Sequence, residues 1–571
     1  MKEHKPITID HKRIIYTLSM LLLCTVAFVR AVGGGDWWNL AVSCVGFCIF
    51  PVTVTKFGFK SFIKIPYLIW LILSVPVAAF VIKKYYYSAI HRMAFAGLVV
   101  ETVFYGLIVI RLIQGIIKKE FVGIFKRLNP FFYVCAAFFI LCTISINRAL
   151  WPLYFGLYFI PLFLAPGDSK DDERLFVSLS DALIISFFLI QSFAFLHRPY
   201  DQIRYVGAYT NSNVNGMFYL CVYFGWLVKC TYLEKINAGK FLRVIHFLFA
   251  CAMWSFACLT ISRSTLVSFF FTTILYLVLN DLILFRKKFL KGFLLKGICM
   301  FCIFALSFPL VFVCVRYIPA LRHHPIWITE YSEDFVHSFD PWNSEKYTDL
   351  NEFFECFTGR FDPENIDTRG GIVTQEVISE ERYASPDPAA EEAQEEEPLG
   401  EYVEIGGVVY SYPDHVLPGT DHEHPAYVYE NYEGIEKIFG IRKYIFAYFF
   451  KNLNFTGHKE EYPSVYILHW YAVPHAHNSY LQIAYCFGII QGIIFTGMSL
   501  YSLIYPIVFA FVKKEKTPWY FIAIALWQLG MVLIGMLENS AFPGKMMFSV
   551  FFLSMLPLVK SFKDERNEKQ D

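Results

Sequence analysis

Charge is what this sequence has least of. Asp, Glu, Lys and Arg make up 17% of its 571 residues, against about 25% in ordinary globular domains. The net charge is only +1, which gives no electrostatic footprint for nucleic acid. Cysteine is scarce outside apolar runs. Cys356 is the one cysteine in the long polar insert, so no disulfide can close within it. The others, such as Cys24, Cys44, Cys48, Cys299 and Cys302, sit in apolar runs and read as small buried hydrophobes. No internal repeat and no His-Glu-x-x-His or closed zinc spacing is present, so neither a metal nor another cofactor is expected. The first apolar run, Ile14 to Val32, lacks a small-residue cleavage site and reads as a signal-anchor helix.

What fills the chain instead is apolar. Hydrophobic residues make up 56% of it, with 60 Phe and 36 Tyr. Runs of roughly 20 apolar residues, enough to span a bilayer, recur at 14–32, 38–55, 66–82, 93–115, 130–146, 149–165, 175–196, 214–233, 242–261, 264–285, 297–317, 483–511, 518–537 and 545–560. The fold class is therefore an all-α polytopic membrane protein, with about 12–14 transmembrane helices and one large extracytoplasmic loop.

Orientation follows from the Lys/Arg bias. An inside N-terminus makes Lys12/Arg13, Lys56/Lys60/Lys64, Arg111 to Arg127, Lys229 to Arg243, Arg286 to Lys296 and Lys513 to Lys516 cytoplasmic, with the tail at 561–571. The exception is Lys83/Lys84/Arg92, which this count leaves outside: either that loop breaks the bias or an early span is miscounted. The chain then divides into N-terminal helices (1–196), helices with outer-face arginine motifs (197–317), a large outer loop (318–477), C-terminal helices (478–560) and the tail. Residues 325–420 of the loop are acidic, with the composition of a disordered arm, and 427–466 carry the spacing of an amphipathic helix or helix pair.

Four groups of polar residues share the outer face. The connection Arg204 to Gly216 holds an arginine and several carboxamides, including Asn213; Arg can grip phosphate oxygens with its planar fork, while Asn can simply cap the next helix. Arg263 stands between two spans with almost no loop, so it either faces an aqueous cavity or anion, or snorkels to the interface. Arg442 lies on the amphipathic segment. His475-Ala476-His477-Asn478-Ser479-Tyr480-Leu481-Gln482 closes the insert: a histidine there can take a proton from a sugar hydroxyl, or the stretch can merely cap the following helix. Cations beside a candidate base at a membrane surface point to an anionic lipid-linked substrate and group transfer.

Three of these stretches carry a resemblance. Arg204-x-x-Gly207 followed by Asn213, the turn Thr260-Ile261-Ser262-Arg263-Ser264, and His475 to Gln482 followed by Gly488-Ile489-Ile490-Gln491-Gly492 occur in an order that resembles the O-antigen ligase / O-antigen polymerase (Wzy-type) family of bacterial envelope polysaccharide transferases. Gly440-Ile441-Arg442 and Asn454 to Gly457 are similar to that family's arginine helix and turn, with Phe455 departing from the usual proline. The resemblance covers about residues 200–540. It implies a metal-independent glycosyltransferase in the bacterial plasma membrane, with both termini cytoplasmic and an extracytoplasmic site. It would polymerise or ligate an undecaprenyl-diphosphate-linked glycan donor onto a glycan or surface acceptor, amid membrane lipid and with a chain-length regulator as a further partner. By position it implies that Arg204, Arg263 and Arg442 hold the diphosphate. His477 is then the base and His475 a supporting catalytic residue, with Asn213, Asn478 and Gln482 binding the substrate and shaping the site. The competing expectation is a lipid-linked oligosaccharide flippase without catalysis, for which Arg30 and Glu101 within or near spans would matter.

Overall fold

A computed structural model describes residues 10–32, 35–85, 92–125, 128–147, 149, 151–166, 169–197, 204–209, 211–284, 289–320, 350–359, 402–405, 408–411, 442–459, 465–468, 471–473, 475–513, 517–540 and 545–560. The helices are α1 (His11–Val32), α2 (Gly35–Phe57), α3 (Ile65–Tyr85), α4 (Arg92–Ile117), α5 (Glu120–Phe125), α6 (Pro130–Thr143), α7 (Trp151–Leu164), α8 (Ser169–His197) and α9 (Ser212–Lys235). They continue as α10 (Lys240–Leu259), α11 (Arg263–Leu284), α12 (Phe289–Ala320), α13 (Leu350–Gly359), α14 (Arg442–Lys451), α15 (Ser479–Phe487), α16 (Ile489–Lys513), α17 (Tyr520–Leu537) and α18 (Met546–Met555).

Among the described residues, 8 helices are long and apolar enough to cross a membrane, and six shorter apolar helices accompany them. Each coincides with one of the apolar runs read from the sequence. The chain is an all-α polytopic membrane protein. Prolines 51, 76, 161 and 506 sit inside helices, a placement tolerated where neighbouring helices satisfy the freed backbone groups.

The centre of the bundle is α9, buried along nearly its whole length from Phe218 to Leu233. It packs against α8, α10, α11 and α17. Aromatic contacts knit the layers: Tyr223 stacks on Phe269 with ring centroids 4.5 Å apart, and Phe224 meets Trp527 edge-on at 4.7 Å.

One face of the bundle is an ion-paired clamp. Asp171 binds Lys12 (3.2 Å) and Arg174 (2.9 Å), and Asp172 binds Lys56 (3.3 Å) and Lys560 (3.6 Å). Asp181 binds Arg13 (2.6 Å) and Lys229. These contacts gather the ends of α1, α2, α8 and α9 with the residue closing the α18 region. The fully buried Lys56 ammonium is tolerable there because Asp172 compensates its charge. The chain alternates between faces from helix to helix, so the 204–209, 260–262, 442, 475–478 and 538–540 segments all lie on the opposite face. Both α3 and α4 are present as helices, so neither early run drops out of the count.

Two expectations are corrected. The run 483–511 is two helices, because Gly488 interrupts it between α15 and α16. Among the described residues of 427–466 only α14 is helical; Val465–Leu468 (β3) instead pairs antiparallel with Tyr471–Val473 (β4), and 427–441 and 460–464 lie outside the described residues. Within 325–420, most of which lies outside the described residues, α13 is helical. In the same segment Tyr402–Ile405 (β1) pairs with Val408–Ser411 (β2). Both strands are β-branched and aromatic and flank Gly406-Gly407, a hairpin pattern.

Candidate functional site

The site begins where the α8–α9 connection docks on the α10–α11 turn. The Tyr205 backbone N–H donates to the Leu259 carbonyl (2.8 Å), and Asn215 donates to the Tyr205 carbonyl (3.2 Å). This fixes Arg204, whose Nε donates to the Thr260 carbonyl (3.2 Å) and whose Nη2 donates to Asn213 Oδ1 (2.9 Å). Arg263 opens α11 three residues beyond Thr260, on the turn whose carbonyl Arg204 binds. Asn211 caps α9 by accepting from the Asn213 N–H (2.7 Å), which leaves the Asn213 side chain for other work. Its Nδ2 donates to Glu538 Oε1 (3.3 Å).

Glu538 is the residue that the sequence reading missed. It ends α17, and its side chain is 9% exposed. Oε1 also accepts from Arg442 Nη2 at 2.6 Å, and Oε2 lies 3.5 Å from His477 Nδ1. Arg204 through Asn213, Arg442 directly, and His477 thus converge on one carboxylate. Burial pushes that carboxyl up, but the neighbouring His477, Arg442 and Lys545 more than offset it and hold it below the usual carboxylate range. Lys545 is a further cation not anticipated from the sequence; its ammonium donates to the Asn539 carbonyl.

The His475–Gln482 stretch is built to aim one imidazole. His477 adopts φ +47°, a left-handed conformation that only a few residue types enter readily. The turn is held from below: Gln482 Oε1 accepts from the Ala476 N–H (2.7 Å), and His475 Nδ1 accepts from the His477 N–H (3.3 Å). Asn478 caps α15, its Oδ1 accepting from the N–H groups of Tyr480 (3.0 Å) and Leu481 (2.9 Å) while its Nδ2 donates to the Met536 carbonyl (3.0 Å). Ser479 Oγ donates to the Glu538 carbonyl (3.0 Å), and the Ser540 N–H donates back to Ser479 Oγ (2.8 Å). The start of α15 is thereby stapled to the end of α17. Asn478 and Gln482, expected to contact substrate, have their carboxamides engaged in positioning this turn. Both expected histidines are together, ring centroids 4.3 Å apart, but only His477 faces Glu538.

His475 has a different character. Its own burial, then the His477 and Lys545 charges, push its pKa down to about 3. It is a neutral acceptor at ordinary pH. Between its reference value of 6.5 and about 3, the unfolded chain binds a proton that the folded chain refuses. Stability therefore rises with pH across that window, and acidification removes it by at most about 1.4 kcal/mol per pH unit. Thermal unfolding in detergent between pH 7.5 and 5 checks this: wild type loses Tm on acidification, and His475→Gln flattens the slope. Parallel slopes for the two proteins would refute the neutral, buried assignment.

Beside this polar cluster runs an apolar groove of about 810 Å³. Phe446, Ala447 and Phe450 of α14 form one wall. Tyr480, Leu481 and Ala484 of α15 and Ile493, Thr496 and Leu500 of α16 form the other, with Asn478 at its head. The groove owes its shape to the 452–459 loop. The His458 N–H donates to the Cys486 carbonyl (3.1 Å), its Nδ1 donates to the Tyr485 carbonyl (2.8 Å), and the Ile489 N–H donates to the Asn454 carbonyl (2.9 Å). The arrangement can hold an anion among arginines, take a proton at His477 and seat a long apolar chain alongside. Compared with protein-family models, curated proteins and solved structures, the chain gives no match.

Proposed function

We propose that the protein is a membrane glycosyltransferase that polymerises or ligates a polyprenyl-diphosphate-linked glycan on the outer face of a bacterial plasma membrane. One observation carries this reading: Asn213, which holds Arg204, together with Arg442 and His477 converges on Glu538 beside an apolar groove. The basic clamp face would be cytoplasmic, which puts this cluster outside. The polar contacts lie at helix ends rather than at mid-span, which favours transfer at the surface over carriage through the bundle.

In this reading the polyprenyl chain lies along the α14–α15–α16 groove, and the diphosphate sits among Arg204, Arg263 and Arg442. The acceptor hydroxyl attacks the anomeric carbon. Its proton passes to His477 Nε2, since Nδ1 is turned toward Glu538. The bond from the anomeric carbon to the phosphate oxygen breaks, and its electron pair leaves on the diphosphate. The arginines stabilise that growing charge, and Glu538 stabilises the imidazolium. The released polyprenyl diphosphate then carries the proton away. A second lipid-linked glycan as acceptor makes the enzyme a polymerase, the reading we favour because it needs no separate surface acceptor.

The test is purified protein in nanodiscs with an undecaprenyl-diphosphate repeat unit. Wild type yields longer or transferred glycan, and Arg204→Ala lowers the rate roughly tenfold or more, the worth of a charged hydrogen bond. Absence of transfer by wild type across a panel of repeat units would overturn the reading.

A further inference from the structure

We infer that Glu538 is a built-in occupant of the anion cradle: its carboxylate holds Arg442, and with it α14, until a diphosphate takes its place. The inference rests on the functional reading above and adds a control step to it.

The geometry is that of a competitor. The Arg442–Glu538 contact is a 2.6 Å charge-assisted hydrogen bond, and the same Glu538 oxygen takes the Asn213 amide. An incoming anion needs those same donors. It would also face a like charge at contact distance for as long as Glu538 keeps them. The two partners differ in accessibility: the Arg442 side chain is 24% exposed and Glu538 only 9%. Arg442 is therefore the member an anion can reach first.

Arg442 is also the first residue of α14, the helix that roofs the groove. That helix packs on α15, where Phe449 meets Tyr485 edge-on, and Arg442 ties its first turn to Glu538 at the end of α17. Exchange of Glu538 for a diphosphate on Arg442 thus releases the first turn of α14, one wall of the groove, from α17 as the head group arrives. It also leaves the carboxylate to its second neighbour, His477, 3.5 Å away. The substrate's own charge would open the groove and turn Glu538 toward the base in one step.

Inorganic pyrophosphate binding to the full chain in phosphatidylcholine nanodiscs, read by calorimetry, tests this. Glu538→Gln keeps the size and an acceptor oxygen but removes the competing charge. It should bind pyrophosphate at least tenfold more tightly than wild type, and adding Arg442→Ala should abolish the gain. Equal or weaker binding by Glu538→Gln overturns the inference, as does absence of binding to both proteins. A second measurement needs no change at Glu538. In Arg442→Lys, a carbodiimide couples the new ammonium to Glu538, and the crosslinked peptide pair is quantified by mass spectrometry. Pyrophosphate should suppress that crosslink severalfold, and an unchanged yield overturns the inference. Neither measurement uses glycan transfer. Tighter binding without any transfer would sink the enzyme reading and leave the latch standing; transfer without tighter binding would do the reverse.

Discussion

His477→Asn lowers glycan transfer by about 10²–10⁴-fold, the range that a positioned general base supplies. Asparagine is the informative replacement for a backbone reason. His477 sits at φ +47°, and asparagine enters that left-handed region far more readily than most residues. The turn between Ala476 and Asn478 therefore keeps its shape, and Tm should stay close to that of wild type. What is lost is the acceptor for the proton. A carboxamide can still donate toward Glu538, but it takes up no proton from a sugar hydroxyl at neutral pH. His475→Asn is the matched control. His475 is already neutral, with its Nδ1 occupied by the His477 N–H. Its loss should cost less than tenfold, through looser placement of the turn rather than through chemistry. Single-turnover transfer by the two variants checks the assignment. A fully active His477→Asn, or a larger loss from His475→Asn, would show that the wrong imidazole has been assigned.

The membrane helices were legible in the sequence because the signal is strong. A run of apolar residues long enough to cross hydrocarbon has few alternatives, so each run is found as helix, 483–511 as two. Counting the runs also placed Arg204, Arg263, Arg442 and His477 on one face, and the structure brings Arg204, Arg442 and His477 to one cluster. Glu538 escaped because a single carboxylate in a short connection between two spans has no periodicity and no spacing to mark it. The available signal was its position: an acidic residue ending an otherwise apolar helix is costly unless a cation meets it, and the cations were already on that face. Asn478 and Gln482 stand beside this cluster, but side-chain type alone does not distinguish a substrate contact from a cap. Here the backbone N–H groups of Ala476, Tyr480 and Leu481 claim them. The division of α15 from α16 was invisible because composition stays apolar through Gly488; only a backbone contact from a distant loop demands the break.

That contact gives the largest expected stability effect. Gly488 adopts φ +114° and ψ 158°, and a Cβ built on it lies 2.3 Å from the Phe455 carbonyl oxygen. Gly457 faces it from the other side, at φ +79°, with its own Cβ position 2.2 Å from the Cys486 carbonyl oxygen. The two backbones touch because neither residue has a side chain. Gly488→Ala would meet both a conformation that is essentially reserved for glycine and a backbone overlap, so it should cost about 3 kcal/mol or more. Relief requires the 452–459 loop to lift away, which breaks the Ile489-to-Asn454 and His458-to-Cys486 hydrogen bonds. That loop follows α14 directly, so Arg442 leaves Glu538 and transfer falls together with stability. Gly497→Ala on the same helix α16 is the control: its Cβ meets nothing within 4 Å, and alanine is the better helix former by up to about 1 kcal/mol. Thermal unfolding in detergent should therefore rank Gly497→Ala at or above wild type and Gly488→Ala far below. If Gly488→Ala instead melts with wild type, the loop does not rest on this break. The placement of α14 over the groove would then lose its support, and the seat proposed for the polyprenyl chain would go with it.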